Sequence, residues 1–576
     1  MKRKIIFFLS ILFFGLLVWM QKYFMGLTVA QTGHRYLMVI FYILAGAMLF
    51  LMLFMGGWMS FFKPGLVKLY PVAVLSLGLM YMFVFPPMSA PDEIAHFVSA
   101  YKISNYMLFQ KATTQDGHVI IRSEDLYLED VEESYLFDTA ETRREGVLVI
   151  KDTKGIAKVL GSKLEEDTYR SVYGLEEAPG SKRNFVVNGV FYEKSQTVHP
   201  PVKTTPVVYL PQAIGISIGR ILYLNPVELA FLGRFLNLLA FTLLGTLGIY
   251  LMPRGKIFFF LASLLPTTLE LVSSLSYDAM VMGGMLLFTG YVFHLKEVKE
   301  RVGWKQIGLV ALMTACFFPC KVIYSPLLGL LFLIPIRKYS LKKSYSERVQ
   351  LPNFAFWMLC FFIVLIAWLG TTTLVNLPAL THYSTSQPNT VAWANQESYH
   401  LSDLFHHKMR AVSLFYNTFL TQGETYHQTL AGGYLGTSDP VVGVPYPVMA
   451  ALTLGLLLAT FSVAEKKQED EDFIEADIFR IPNLKMRERV YLFILCALVL
   501  FLAMLTMLVA WTPVTRDYIE GVSGRYFLPV LPLFLLALQS SRFQSKTDLT
   551  GVLLYGFLYL NCFSLLKIFT TICMRL

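Results

Sequence analysis

LVKLYPVAVLSLGLMYMFVFPPMSAPDEIAH, residues 66–96, changes chemistry partway along. From Leu66 to Pro86 it is an apolar block, and about 20 such residues suffice to cross a bilayer as a helix. Pro86, Pro87 and Pro91 then stop that helix from running on, because the residue before a proline is pushed toward extended backbone. Directly behind the prolines stand Asp92, Glu93 and His96. A span that ends on two carboxylates and an imidazole predicts a membrane protein with polar chemistry at one face.

Working outward, similar apolar blocks recur near 5–21, 36–60, 227–252, 256–272, 277–295, 307–319, 321–335, 354–375, 445–463, 488–511, 527–541 and 549–571. With 66–86 they predict about 13 crossings, several of them short. Composition agrees: 55% of the 576 residues are hydrophobic and 15% charged. A soluble domain is nearer a quarter charged, so an ordinary water-soluble enzyme is excluded, as are a disordered chain and a collagen-like repeat. The fold class expected is an all-α polytopic membrane protein.

The net charge of +9 suggests nucleic acid only until the cations are placed. Lys2-Arg3-Lys4, Lys63/Lys68, Arg254/Lys256, Lys296/Lys299/Arg301/Lys305, Arg337/Lys338/Lys342/Lys343, Lys466/Lys467 with Arg487/Arg489, and Arg542/Lys546 all fall on one side of the alternation. Short loops rich in Lys and Arg mark the cytoplasmic side, so no nucleic-acid partner is expected. Six cysteines (Cys316, Cys320, Cys360, Cys496, Cys562, Cys573) lie in or beside apolar blocks, which indicates no disulfide framework. The basic start followed by Ile5–Met20 imitates a signal peptide, but no small-x-small cleavage site follows closely, so it is read as a retained span.

This topology divides the chain into three N-terminal spans (1–86), an extracytoplasmic loop with amphipathic or interfacial helices (87–226), a central bundle (227–375), a second extracytoplasmic loop (376–444) and C-terminal spans (445–576). The first loop reads as a small mixed α/β unit. Ile94–Leu108 suits an amphipathic helix along the outer surface, while Val147–Ile150 and Phe185–Tyr192 suit strands, the latter with an Asn-Gly turn. Segment 204–224 does not fit the alternation as a crossing and is read as a membrane-embedded or interfacial helix. The run Glu469–Asp472 reads as a solvated cytoplasmic linker.

Four places put polar side chains against apolar blocks on the outer side. Asp92 suits the N-cap of a helix, and His96, one turn on, shares its face; the pair suits a general base or a metal ligand as well as a simple cap. Asp278, in SSLSYD, begins a span, and a charge at membrane depth usually faces a polar cavity. Lys321, in FPCKVIY with Tyr324, breaks the positive-inside pattern and either snorkels to headgroups or grips an anion. Arg525, in GVSGRYFLP with Tyr526, is suited to bidentate phosphate contact or to an interfacial anchor. In the second loop, His406, His407, Lys408, Arg410, Glu424, His427 and Asp439 suggest an acceptor-side or lid element.

With these pieces on the page, the sequence resembles a family of bacterial membrane proteins grouped with the GT-C superfamily of polyprenyl-phosphate-dependent glycosyltransferases. The matching pieces are PPMSAPDEIAH (86–96), YLPQAIGISIGRIL (209–222), GRFLNLLAF (233–241), SYDA (276–279), CKVIYSPLLGLL (320–331) and GRYFLP (524–529). The resemblance covers about residues 80–576, leaving the two spans before Tyr70 as an addition to the pattern. It implies a GT-C-like helical fold in the bacterial plasma membrane with the site facing outside, and a sugar moved from a polyprenyl-phosphate donor to a glycan or lipid-linked acceptor, usually with inversion. Carried onto this chain, Asp92 is the base and Glu93 or His96 assists it. Lys321 and Arg525, with Tyr324 and Tyr526 beside them, hold the departing phosphate, and Asp278 positions hydroxyls. A divalent metal, Mg or Mn, is left open, with Asp92, Glu93 or His96 as its ligands, because Asp92-Glu93 lacks the spaced Asp-x-Asp of some transferases. The rivals are a flippase or transporter of lipid-linked saccharides, a glycan polymerase or ligase, and a non-catalytic scaffold for cell-wall assembly.

Overall fold

The computed structural model describes residues 2–33, 35–85, 87–126, 128, 194–340, 353–383, 390–391, 394–436, 442–463, 484–545 and 548–573. Of the described residues 75% are helical, and the sheets among them are small. Its helices are α1 (Lys2–Thr32), α2 (Tyr36–Phe61), α3 (Leu66–Val84), α4 (Glu93–Met107), α5 (Leu210–Ile221), α6 (Pro226–Leu251), α7 (Lys256–Ser263), α8 (Pro266–Val272), α9 (Asp278–Glu297) and α10 (Trp304–Phe317). There follow α11 (Asn353–Tyr383), α12 (Leu401–His406), α13 (Lys408–Ala431), α14 (Tyr446–Ala459), α15 (Met486–Ala510), α16 (Leu531–Leu538) and α17 (Thr550–Cys573).

Among the described residues, 8 helices are long and apolar enough to cross a membrane: α1, α2, α3, α6, α9, α11, α15 and α17. Shorter apolar helices cover Trp304–Cys320, Val322–Leu333 and Tyr446–Ala459. The remaining apolar blocks are not single long helices. Block 256–272 breaks into α7 and α8 at Leu265, held extended before Pro266, which lacks the N–H that would continue the helix. Val322–Leu333 winds as a 3-10 helix with Pro326 inside it, where an α-helical hydrogen bond would lose its donor.

The most buried of these spans is α9, and the helix that packs along it is α6. Its start follows from sequence: Asn225 accepts from the Glu228 N–H at 2.8 Å, Glu228 accepts from the Asn225 N–H at 3.2 Å, and Pro226 takes the first helical position. It packs against α3, α5 and α9. The α6–α9 crossing is close enough that a Cβ on Gly290 would lie 2.3 Å from the Gly248 carbonyl oxygen. Small residues at such crossings let two membrane helices share backbone contact.

The end of the bundle opposite the site is tied by charge. Arg254 pairs with Glu297 at 2.6 Å and Lys296 with Glu488 at 2.6 Å. Lys338 donates to the Lys296 and Lys299 carbonyls, and Arg489 to that of Ala537. These cations come from separate loops that the charge pattern puts on one side. At the other end, β1 (Ile120–Arg122) pairs antiparallel with β2 (Lys194–Gln196) beside α4. The expected strands 147–150 and 185–192 and the acidic run 469–472 lie outside the described residues.

Helix α4 differs from the expectation of a surface helix. Glu93, His96, Phe97, Val98, Ala100 and Tyr101 are buried, because α5 and the turn before it pack over it; only its end, at Tyr106 and Met107, is open. Helix α5 keeps one exposed apolar side, Leu210, Ile214, Ile218 and Ile221, and buries the other against α4 and α6. At the chain ends, α1 and α2 pack on α17, where Ser10 Oγ and Tyr555 OH are 3.0 Å apart. Gly290→Leu is expected to lower the yield of folded, monodisperse protein in detergent, by about 1–3 kcal/mol of overpacking; size-exclusion profiles and thermal unfolding check it.

Candidate active site

Helix α3 ends at Val84, and the chain turns through Met88 and Asp92, both in the left-handed region at φ 66° and 58°. Asp tolerates that conformation better than most residues. The turn changes what Asp92 does. It occupies the position before α4, but its side chain makes no capping bond. Instead one carboxylate oxygen accepts from Arg525 Nη2 at 3.2 Å, across 433 positions of sequence. Asp92 is 69% exposed and Arg525 18%, so the acid lies open while the guanidinium is set into the protein.

Glu93 faces the other way. Arg234 on α6 grips it bidentately, Nε at 2.7 Å and Nη2 at 2.5 Å, and a third guanidinium nitrogen donates to the Phe85 carbonyl at 2.6 Å. Glu93 also accepts from the Leu275 N–H at 2.9 Å and the Ala90 N–H at 3.2 Å. Burial alone would raise its carboxyl, but the Arg234 guanidinium and these hydrogen bonds hold it below the ordinary carboxylate range. Every oxygen of Glu93 is committed, which assigns it to positioning rather than proton transfer.

That pair shapes a second turn. Leu275, bound by Glu93, lies in Ser273–Tyr277, and Asn237, one turn beyond Arg234 on α6, donates to the Ser274 and Ser276 carbonyls at 2.7 and 2.9 Å. Ser276 Oγ accepts from the Asp278 N–H at 3.2 Å. Asp278 then pairs with Lys321. The Lys321 ammonium also sits over the rings of Tyr277 and Tyr526, at 5.1 and 5.0 Å. Tyr324 donates to the Tyr526 carbonyl at 3.0 Å, joining the Lys321 segment to that of Arg525.

Arg525 is presented by a close backbone approach. A Cβ on Gly524 would fall 2.0 Å from the Tyr426 carbonyl oxygen, so glycine lets this loop lie against α13, where the Gly524 N–H donates to Thr429 Oγ1 at 2.7 Å. The Arg525 guanidinium reaches Asp92 and lies 5.6 Å over the Tyr526 ring, while its Nε is buried with no hydrogen-bond partner among the described residues. His96 shares a 2.7 Å hydrogen bond with Tyr209 OH and packs edge-on against Tyr277 at 4.8 Å. Burial pushes the His96 imidazole down to about 4, although Asp278 and Asp92 oppose the shift.

The candidate residues thus separate into groups once their partners are known. Asp92, Asp278, Lys321, Arg525, Tyr526 and Tyr324 come together in two joined ion pairs with aromatic walls. Asp92, Glu93 and His96 do not form one ligand set: they turn to Arg525, Arg234 and Tyr209 respectively. Among the described residues no group of three or more His, Cys, Asp or Glu is placed to hold a metal ion. Sequence reasoning misses Arg234, Asn237, Tyr209 and Tyr277. Arg234 carries a signal, since a charge inside an apolar 26-residue helix needs a buried partner.

A model of the family described as predicted membrane protein (DUF2142) matches residues 75–534, and the chain belongs to that family. The match takes in Asp92, Arg234, Asp278, Lys321 and Arg525, and leaves out α1, α2 and α17. No curated protein and no solved structure matches the chain.

Arg234→Met leaves Glu93 as an unpaired buried charge and is expected to cost about 3–5 kcal/mol, read as a lowered thermal midpoint in detergent. His96 binds its proton less readily in the folded chain than at the ordinary value of 6.5. The unfolded chain therefore takes up more protons between pH 6.5 and about 4, so stability falls as the pH is lowered through that window. His96→Asn is expected to flatten this part of the profile of thermal midpoint against pH.

Proposed function

We propose that this membrane protein is a GT-C-type glycosyltransferase that moves a sugar from a polyprenyl-phosphate carrier to a cell-envelope glycan acceptor. Its site would face outside at the bacterial cytoplasmic membrane, since the ion-paired basic end of the bundle suits the cytoplasm. The observation that carries the reading is the joining of an open carboxylate, Asp92, to the sunken guanidinium of Arg525, with Asp278 and Lys321 beside them. The resemblance of the PDE and GRYFLP elements to GT-C transferases supports the same assignment.

The roles follow from charge and access. Asp92 is the more exposed member of its pair, which suits a base that must meet an acceptor hydroxyl. It takes the proton of that hydroxyl as the oxygen attacks the anomeric carbon. The bond from that carbon to the phosphate oxygen breaks on the opposite side, inverting the centre, and the electron pair leaves with polyprenyl phosphate. Arg525, whose Nε has no partner among the described residues, and Lys321 receive the charge that develops there. Asp278 orients Lys321 and the sugar hydroxyls. In the structure Asp92 and Arg525 neutralise each other; a donor phosphate that takes over Arg525 would release Asp92 for proton transfer.

The carrier's chemistry demands a site at the membrane boundary. An isoprenoid chain leaves lipid at about 0.8 kcal/mol per methylene, so the phosphate must be met where it emerges. The apolar segment that begins at Val322, directly after Lys321, and helix α16, which begins at Leu531 just past Arg525, suit that meeting place.

Compositional analysis of surface glycans from a deletion strain beside an Asp92→Asn strain tests the reading. The expected outcome is loss of the same sugar in both, with the variant present in the membrane at normal amount. In vesicles, general-base removal of this kind is expected to slow transfer about 10²–10⁴-fold. Normal sugar incorporation by Asp92→Asn would instead favour a transporter of lipid-linked saccharides, which needs the cations but no base.

A further inference from the structure

Helix α13 divides into three faces. Leu414, Thr418 and Tyr426 are buried in the protein. Met409, Val412, Tyr416, Phe419 and Leu420 recur at helical spacing on a second face and are 51% to 78% exposed. Ser413, Thr421 and Glu424 lie exposed on a third, polar face. At 100° per residue the exposed apolar stripe covers roughly a quarter of the helix circumference and runs for about 16 Å.

Water does not favour such a stripe, and no part of the described chain covers it. We infer that α13 lies at the membrane–water boundary with this stripe sunk in the lipid of the bilayer leaflet nearest the site. Two observations choose lipid as the occupant. First, the stripe borders a span: Phe415, one turn before Phe419 at the stripe's edge, stacks on Phe501 of α15 at 5.3 Å, and Phe501 and Leu498 are themselves exposed on that membrane-crossing helix. Second, the exposed surface splits into one apolar and one polar strip side by side, as a helix in the interfacial plane requires. Helix α13 is not among the helices long and apolar enough to cross the membrane itself. Lys408, exposed at its start, suits anionic headgroups.

The placement adds to the reading of the second loop as an acceptor-side or lid element. The inner face of α13 holds the loop that carries Arg525: Thr418 Oγ1 accepts from the Ile519 N–H at 2.8 Å, and Thr429 Oγ1 from that of Gly524 at 2.7 Å. Arg410 donates to the Val514 carbonyl at 2.9 Å, and Asn417 to that of Asp517 at 3.1 Å. A lipid-seated helix therefore sets the height of Arg525 above the bilayer. This holds whatever reaction the site performs.

The test is photo-crosslinking of the full chain in nanodiscs of phosphatidylethanolamine and phosphatidylglycerol, with p-benzoylphenylalanine placed singly at Phe419 or Thr421. Both positions are exposed, so each protein is expected to fold, and monodisperse nanodiscs confirm it before irradiation. The expected result is a mass shift of one phospholipid on the peptide containing position 419 and none at 421. Three results overturn the inference: no lipid adduct at 419, an adduct there between two copies of the chain, or equal lipid adducts at both positions.

Discussion

The buried ion pair between Glu93 and Arg234 is the constraint on which the site depends. Both side chains are almost wholly removed from solvent, and a buried charge survives only when paired and hydrogen-bonded. The pair meets that condition by drawing in backbone from three places: Phe85 at the end of α3, Ala90 in the turn after it, and Leu275 before α9. Asp92 is the next residue to Glu93, and Asp278 lies three after Leu275. One pair therefore aims two acids from distant parts of the chain at one place. Glu93 is thus a stabilising residue whose consequence is the geometry of the site.

The cations arrive by different means. Lys321 sits where Pro319 has ended a helix and a 3-10 segment begins, so its position comes from a break in regular structure. Arg525 sits on a loop that glycine allows to touch α13. The Tyr526 ring lies beside both, Tyr277 flanks Lys321, and Tyr324 bonds across to the Tyr526 carbonyl. Paired with Asp92 and Asp278, the four charges cancel, which lowers the cost of holding them together where water is partly excluded. Under the proposed function, the donor phosphate would unbalance that arrangement and free the open carboxylate.

Much of this is legible in the residues, and the misses have physical causes. Apolar blocks such as 36–60 and 227–252 correspond to helices because a membrane requires long runs of one polarity. The same signal is blind to a break within a run, so the interruption at Pro266 and the 3-10 winding at 322–333 need the backbone. Asp92 beside three prolines reads as a cap, but a cap needs extended backbone and this turn is left-handed. Arg234 is hidden in the sequence by its apolar neighbours, and its partner lies 141 positions away. Residues 94–108 read as amphipathic because side chains such as His96 and Asn105, which find partners inside the protein, look solvated in isolation.

A cryo-electron-microscopy structure in nanodiscs with polyprenyl phosphate bound tests the central claim most directly. The account predicts the phosphate within hydrogen-bonding reach of Arg525 and Lys321, the isoprenoid in lipid below them, and Asp92 released from Arg525. A phosphate bound at the basic end of the bundle, or anywhere that leaves the Asp92–Arg525 contact unchanged, would contradict it.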